Sequence, residues 1–432
     1  MKRFYLLSFL VIHIYFFSSN LPKPIAPLHV KIVSSSNAFH LLVNEKPYFV
    51  KGAGGTTYLK RLKQCGGNSI RTWSTTGVEF ILDSAYMLGL TVTLGLEMAL
   101  ERQGFHYTDQ VFVEKQFEKL KKEIIKYKDH PALLFWGIGN ELELLNSRYE
   151  VWDAVEKIAA YIHSVDSHHP VTTMLAGVPL LHIHEIKKRC PSLDFISINA
   201  FMDLPNVHNK LKKAGWSLPY LITEWGSDGY WESVTTSWGS FLEPTSTKKA
   251  ELIRARYRTA VLKHQNVCLG SYVFYWGAKQ ERTHTVFSFF NENGAENEMV
   301  ELMEELWSNR VPTSRAPKIK PIGIDQLSGV SGITLLPGSI HHAFTDAWDE
   351  NKDPLFFQWE IYYESNETKE GGDREERPPN LNYLFLQSDS RQAIFNAPLQ
   401  EGKYRMFVSV YDNQNKVAQA NMPFLVRRAK NN

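Results

Sequence analysis

Residues 132–141 read ALLFWGIGNE and residues 218–224 read LPYLITE, two apolar stretches of strand length that each end in a glutamate. The apolar residues predict buried strands, and Glu141 and Glu224 would stand where those strands leave the core. In a parallel barrel, the carboxyl ends of the strands meet at one face, which carries the chemistry. We therefore predict that the two carboxyl groups form a catalytic pair; the alternative is two ordinary surface acids.

The chain from residue 30 to residue 310 alternates strand-length apolar runs with helical patterns, which is typical of βαβ units around a parallel sheet. Eight strands favour a closed (β/α)8 TIM barrel over an open sheet, and the hairpin pattern at 39–50 is expected to cover the barrel bottom. The predicted strands are 48–52, 68–73, 90–97, 132–139, 171–175, 195–200, 220–224 and 271–276.

After residue 310 the pattern changes to strands alone. Residues 311–320 are rich in proline and basic residues without periodicity, which indicates an interdomain linker. Residues 321–428 alternate short strands with turn-rich stretches, which predicts a C-terminal immunoglobulin-like β-sandwich with Tyr404 as its tyrosine corner and Trp359 in its core. Because no tryptophan cluster marks a sugar-binding face, we expect this domain to have a structural role.

The first 20 residues have the layout of a secretory signal, with Lys2 and Arg3 before the apolar stretch 4–17 and small residues after it. We therefore expect export to the periplasm, the cell surface or the medium. The apolar stretch is shorter than the roughly 20 residues that span a bilayer, so no membrane span is expected in the mature form; an uncleaved anchor is the alternative. The three cysteines are expected to be buried free thiols.

Composition and charge exclude some partners. The formal net charge of +2, with acids and bases interspersed, leaves no basic face for nucleic acid. The aromatic content of 13% suits both sugar stacking and ordinary packing. We expect a monomer.

Metal and cofactor motifs are weak. The pair His182 and His184 lacks the companion ligands of a zinc motif, and the GAGG turn at 52–55 lacks the rest of a dinucleotide fingerprint. No cofactor and no metal are expected. A calcium site at Asp346, Asp349 and Asp353 is an alternative to a solvated turn.

Two motifs carry a resemblance to a known family. HPALLFWGIGNELE at 130–143 and LITEWG at 221–226 resemble the strand-four and strand-seven motifs of clan A retaining glycoside hydrolases. The resemblance implies that Glu224 is the nucleophile and Glu141 the acid/base, and that Asn140 bonds the 2-hydroxyl of the sugar being cleaved. Retention requires carboxyl groups roughly 5 to 5.5 Å apart.

The resemblance also implies roles for other residues. Arg71 would hold the nucleophile ionised, with an ordinary ion pair as the alternative, and Trp276 would form a platform under the sugar, with a core tryptophan as the alternative. Phe201 stands after strand six, where many members carry a tyrosine or histidine that bonds the nucleophile. Asn199, Tyr230 or Tyr275 would have to replace it.

Further residues at the same barrel face are candidates for substrate contacts. Loops at the carboxyl end of a barrel can hold sugar rings by stacking on aromatic side chains and by hydrogen bonds. The candidates are Trp73, Trp225, Trp231, Trp238, Glu97 and His284.

A narrower resemblance rests on the VKGAGG turn at 50–55, the THTVFSFF stretch at 283–290, the signal segment and the C-terminal sandwich. Together they are similar to bacterial endo-β-1,3-glucanases of glycoside hydrolase family 158. This implies a laminarin-type β-glucan cleaved inside the chain without metal or cofactor. The alternatives are a hydrolase of mannan or another β-glucan, a transglycosylase, and an inactive carbohydrate-binding protein.

Overall fold

A computed structural model describes residues 26–36, 38–328, 332–367, 369 and 372–429. The predicted signal segment, residues 1–20, lies outside the described residues. Within the described residues, no helix combines the length and the apolar character needed to cross a membrane.

A small antiparallel sheet covers the bottom of the barrel, as the hairpin pattern predicts. Its core residues, among them Val30 and Leu41, pack against Leu134, Phe195 and Leu221 from the barrel interior. This sheet therefore closes the end of the barrel opposite the two glutamates. Its strands are β1 (Val30–Ser35), β2 (Ala38–Val43) and β3 (Lys46–Tyr48).

Eight parallel strands close into a barrel, which confirms the predicted fold. Every predicted strand is present, with ends displaced by at most three residues, and the last strand pairs with the first to close the ring. The strands are β4 (Val50–Gly54), β5 (Ser69–Arg71), β6 (Thr91–Leu96), β7 (Leu133–Asn140), β8 (Val171–Ala176), β9 (Ile196–Asn199), β10 (Tyr220–Trp225) and β11 (Cys268–Val273).

Amphipathic helices surround the barrel. In the third helix, Val113, Leu120 and Ile124 are buried, and the Asp109 side chain caps the first turn by accepting hydrogen bonds from two backbone amides. The helices are α1 (Leu59–Gln64), α2 (Glu79–Met87), α3 (Gln110–Tyr127), α4 (Glu150–Val165), α5 (Leu180–Arg189), α6 (Val207–Lys213), α7 (Ser246–Arg256) and α8 (Glu298–Ser308). Cys65, Cys190 and Cys268 are buried free thiols, as predicted.

The C-terminal part is a sandwich of a five-stranded and a four-stranded sheet around one core. Trp359 is buried in that core, and Tyr404 Oη donates to the carbonyl of Gln400 (2.8 Å), so both sandwich predictions are confirmed. The five-stranded sheet contains β13 (Gly323–Ile324), β14 (Leu327–Ser328), β16 (Ile340–Phe344), β19 (Phe385–Gln387) and β20 (Gln392–Asn396). The four-stranded sheet contains β15 (Thr334–Leu335), β18 (Phe356–Tyr363), β21 (Gly402–Tyr411) and β22 (Val417–Val426). A separate two-stranded sheet pairs β12 (Lys318–Ile319) with β17 (Ala347–Trp348).

The end of the predicted linker is a strand of the C-terminal part. Residues 318–319 form β12, which pairs with β17, and the Ile319 amide also donates to Thr247 of α7 (3.0 Å). Two-residue strands have no detectable period in a sequence, which is why the linker prediction extended over β12.

A buried arginine joins the two parts of the molecule. Arg405 on β21 donates to both carboxylate oxygens of Glu364 (2.5 and 2.9 Å) and to Asn421 Oδ1 (2.6 Å). It also donates to the backbone carbonyl of Phe241 in the barrel (2.9 Å), and its guanidinium lies over the Phe241 ring. The side chain is 2% exposed, so its charge depends on these partners.

We predict that Arg405→Ala lowers the free energy of unfolding by about 3 to 5 kcal/mol, because it leaves a buried carboxylate without its partner. The measurement is urea unfolding of the whole chain. The matched control is Arg428→Ala, since Arg428 is 81% exposed in a long ion pair with Glu401; its effect should stay within about 0.5 kcal/mol. Equal losses for the two variants would show that the buried pair does not hold the domains together.

Candidate active site

The carboxyl ends of the barrel strands open into a cleft of about 2050 Å³. Glu141 and Glu224 both line it, as do Asn140 and Asn199. The cleft therefore brings together the two glutamates that end the apolar stretches at 132–141 and 218–224.

The backbone around Glu141 turns sharply as β7 ends. Glu141 has a positive φ of 52° and Gly139 one of 68°, and a Cβ on Gly139 would lie 2.5 Å from the side chain of Leu142. Only glycine fits there, and a non-glycine residue in the left-handed region is a strained feature that its surroundings must hold. The Glu141 amide donates to the Met174 carbonyl on β8 (2.9 Å), which anchors the turn.

Glu224 is held by two donors on the same oxygen. Arg71 Nη1 donates to Glu224 Oε1 (2.6 Å), and Trp73 Nε1 donates to the same atom (2.8 Å). Among the described residues, none donates a hydrogen bond to Oε2 of Glu224, so this oxygen is the one left for a ligand.

The same arginine reaches the other side of the mouth. Arg71 Nη2 donates to Asn140 Oδ1 (2.5 Å), which also accepts from Asn199 Nδ2 (3.1 Å). Asn199 Nδ2 in turn donates to Glu141 Oε1 (2.8 Å). A continuous hydrogen-bonded chain therefore links Glu224, Arg71, Asn140, Asn199 and Glu141. Because both donors converge on Asn140 Oδ1, the amide NH2 of that residue is left for the cleft.

The two carboxyl groups have different electrostatic environments. Burial, and next the negative charge of Glu224, raise the pKa of Glu141 to about 7. Glu224 has a guanidinium and an indole N–H on one oxygen. At neutral pH, Glu141 can therefore carry a proton beside a charge-stabilised carboxylate, which is the arrangement of an acid and a nucleophile.

A third carboxyl group supports the Glu141 turn. Glu143 is buried, and its Oε1 accepts from the Ala176 amide at the end of β8 (2.6 Å). Burial raises the pKa of Glu143 to about 8. A neutral Glu143 adds no second negative charge beside Glu141 and ties the turn to the neighbouring strand.

Some predicted aromatic contacts lie in the cleft. Trp231 lines it and is 54% exposed, which leaves a ring face for a ligand. Trp73 also lines it, but as the donor to Glu224 already described. Trp73 thus donates to Glu224 in place of the tyrosine or histidine that many clan members carry after strand six. Asn199, Tyr230 and Tyr275 were the predicted candidates for that donor. Asn199 bonds Glu141 instead.

Two tryptophan predictions are wrong. Trp276 is 1% exposed and packs against Phe290 and Trp307, while its neighbour Tyr275 faces the cleft. Trp225 is fully buried and stacks on Tyr257 behind the barrel wall. Side chains alternate along an extended chain, so the residue after a cleft-facing glutamate points away from the cleft.

Of the three remaining candidates for substrate contacts, one lines the cleft and two do not. Glu97 lines the cleft at the end of β6. His284 does not; it is buried between the domains against Phe407, and burial lowers its pKa to about 3. Trp238 lies outside the cleft, where its Nε1 donates to Ser240.

Several lining residues carry no signal in the sequence. Arg102 follows β6 and donates from Nη1 to the carbonyl of Glu141 (3.4 Å). Residues 372–375 come from the sandwich, not the barrel, yet they line the cleft. A loop residue without a motif reveals its place only through tertiary contacts.

The acids considered for calcium are grouped differently from the prediction. Ligand atoms of Asp349, Asp353 and Asp412 lie within 4.8 Å of one another in the sandwich. Asp346 instead pairs with Lys320 (3.2 Å).

The barrel part of the chain is similar to a known family of enzymes. Residues 76–290 match the family described as "Glycosyl hydrolases family 2, TIM barrel domain". This part of the chain is thus similar to the barrel of a glycoside hydrolase family that belongs to clan A, in line with the broader resemblance of the motifs. Family 158 is not among these findings. No curated protein matches the sequence.

Solved structures of similar fold include two bacterial β-glucuronidases. That of Dictyoglomus thermophilum has a TM-score of 0.51 and 19% identity, over 66% of this chain and 54% of that chain. That of Ruminococcus gnavus has a TM-score of 0.50 and 15% identity, over 66% of this chain and 53% of that chain. The chain thus spans about half the length of these structures, and the likeness concerns the fold.

We predict that the Glu141 carboxyl group titrates with a midpoint near pH 7. Difference infrared spectra between the unaltered chain and Glu141→Gln should show a protonated carboxyl band below that pH and its loss above it. Glu224→Gln should lower the midpoint, because it removes a negative charge that favours the protonated form. A midpoint near the ordinary value of 4.5 in the unaltered chain would contradict this assignment.

Proposed function

We propose that this chain is an exported retaining β-glycoside hydrolase, with Glu224 as nucleophile and Glu141 as acid/base. The observation that carries the proposal is the hydrogen-bonded chain from Glu224 through Arg71, Asn140 and Asn199 to Glu141. It holds a charge-stabilised carboxylate and a carboxyl group of raised pKa in one cleft. Double displacement at a sugar needs that pair.

In the first step, Oε2 of Glu224 attacks the anomeric carbon while Arg71 and Trp73 hold Oε1. The bond between the anomeric carbon and the departing oxygen breaks, and Glu141 gives its proton to that oxygen. An ester between the sugar and Glu224 results. Asn140, with its amide NH2 turned to the cleft, is placed to donate to a sugar hydroxyl next to the reacting carbon.

In the second step, water attacks the same carbon and Glu141 takes one of its protons. The bond between that carbon and Glu224 Oε2 breaks, which returns Glu224 as a carboxylate. The ester no longer carries the charge of Glu224, so one of the causes that raise the pKa of Glu141 is gone. Glu141 is then a carboxylate able to act as base. The two inversions give net retention at the anomeric carbon.

For the substrate, we propose a β-linked glucan of the laminarin type, cleaved inside the chain. The motif similarity supports it, as does a cleft of about 2050 Å³, which is larger than one sugar unit requires. A β-glucuronide is the second candidate, because the structures of similar fold are β-glucuronidases and the Arg102 guanidinium in the cleft is a cation that a uronate carboxylate would need.

Hydrolysis of laminarin, curdlan, lichenan, mannan, xylan and an aryl β-glucuronide should separate these substrates. Release of a series of short oligosaccharides from laminarin is the expected result. Activity confined to the glucuronide would show that the substrate is a β-glucuronide and not a glucan. Products longer than the starting oligosaccharide would show that the sugar is transferred to another sugar and not to water. Binding of laminarin without any release of reducing ends would identify an inactive carbohydrate-binding protein.

We predict that Glu224→Ala loses at least about 10⁴-fold in turnover, as expected for removal of a covalent nucleophile. Added azide should restore turnover of an activated aryl glycoside and give the glycosyl azide of inverted configuration. The control is Glu114→Ala, an exposed carboxylate on α3 outside the cleft lining, which should retain full activity. A Glu224→Ala variant that still turns over oligosaccharides would exclude Glu224 as the nucleophile.

We also predict that Glu141→Ala keeps most of kcat/KM on aryl glycosides with good leaving groups but loses it on oligosaccharides, because only the latter need a proton on the departing oxygen. The rates on both substrate classes are to be compared across pH. In the unaltered chain, the oligosaccharide rate should fall as pH rises above about 7, where Glu141 loses its proton. Equal losses on both classes would exclude Glu141 as the acid.

A further inference from the structure

One wall of the cleft comes from the C-terminal domain. Residues 372–375, here called the sandwich segment, lie in the connection between β18 and β19 and line the same cleft as Glu141 and Glu224. The other lining residues belong to the barrel and its loops. The sandwich domain therefore contributes part of the cleft lining.

The sandwich segment contacts the neighbourhood of Glu141. Gln103 Nε2 donates to Asp373 Oδ2 (3.0 Å), and Arg102 Nη2 lies 4.0 Å from Asp373 Oδ1. The same guanidinium donates from Nη1 to the carbonyl of Glu141 (3.4 Å). One arginine side chain therefore separates Asp373 from the backbone of Glu141.

The segment also contacts the loop that follows β11. Lys279 Nζ donates to the Gly372 carbonyl (3.0 Å), and the Arg282 amide donates to Glu375 Oε2 (2.5 Å). Glu281 lies between Lys279 and Arg282 in the sequence. Its pKa is raised by burial and, to a lesser extent, by the charges of Glu224 and Glu375. The segment thus bridges the loops that follow β6 and β11, across the side of the mouth formed by β4 and β5.

The segment offers charged groups to this cleft. Arg374 is exposed there, and within the described part of the chain its guanidinium makes no hydrogen bond or ion pair. The Asp373 side chain is 35% exposed and keeps lone pairs beyond those that Gln103 uses. A guanidinium and a carboxylate that line the same cleft supply both donors and acceptors, and the hydroxyl groups of a neutral sugar can use both.

We propose that Asp373 and Arg374 form a sugar subsite next to the unit being cleaved, so that the sandwich takes part in recognising oligosaccharides. The inference rests on the proposed glycosidase function. It names a β-linked oligosaccharide longer than the cleaved unit as the ligand. The sandwich would then select substrates by length while the barrel performs the chemistry.

The binding experiment uses the intact chain with Glu224→Ala, so that oligosaccharides persist. Calorimetry is done with β-1,3-gluco-oligosaccharides and, in parallel, with β-1,4-manno-oligosaccharides, and the hexasaccharide that binds more tightly is used for the comparison. Arg374→Ala and Asp373→Ala should each weaken its binding by about tenfold. This corresponds to the loss of one hydrogen bond to a charged group. The control is Lys403→Ala, an exposed residue of the same domain away from the cleft, which should bind as its parent does.

The kinetic experiment uses the chain with both glutamates. Arg374→Ala should lower kcat/KM on the hexasaccharide several times more than on an aryl monoglycoside, which is too short to reach the subsite. Equal affinity of Arg374→Ala, Asp373→Ala and Lys403→Ala for the hexasaccharide overturns the subsite, as does the absence of binding to either series. If Glu224→Ala keeps turnover but hexasaccharide binding still depends on Arg374, the catalytic assignment fails and the subsite stands.

Discussion

The buried guanidinium of Arg71 determines the geometry of the cleft. The side chain is 1% exposed, and a buried charge is tolerated only when its surroundings supply acceptors. Its acceptors come from two strands that are not neighbours in the barrel: Thr223 and Glu224 on β10, and Asn140 on β7. One cation therefore links the ends of two non-neighbouring strands, and Glu141 and Glu224 at those ends share one cavity.

The difference between the two glutamates follows from the same contact. Glu224 has the cation beside it, whereas Glu141 has an amide donor from Asn199 and is partly buried. Burial then favours the protonated form of Glu141, and the charge of Glu224 adds to this effect. Two chemically identical side chains thus have different hydrogen-bonding and charge surroundings because of their positions relative to Arg71.

The sequence predicts the barrel and the ends of its strands well, because buried strands leave continuous apolar runs and helices leave a period of three to four. It predicts the direction of individual side chains poorly. Trp225 and Trp276 stand beside the mouth in the sequence but point into the packing around the barrel, and Trp73 serves as a donor to Glu224. The contribution of residues 372–375 could not be read from the sequence, because an irregular loop has no periodicity that would show where it packs.

A covalent bond between Glu224 and the sugar is the step on which the proposed mechanism depends, and trapping that bond tests it most directly. An activated 2-deoxy-2-fluoro glycoside of the sugar that the chain hydrolyses should inactivate the protein, since the fluorine slows the second step more than the first. Mass spectrometry of the digested protein should find one sugar on the peptide that contains Glu224 and none when Glu224 is replaced by glutamine. A sugar attached to a different residue, or steady hydrolysis of the reagent with inversion and no adduct, would contradict the account.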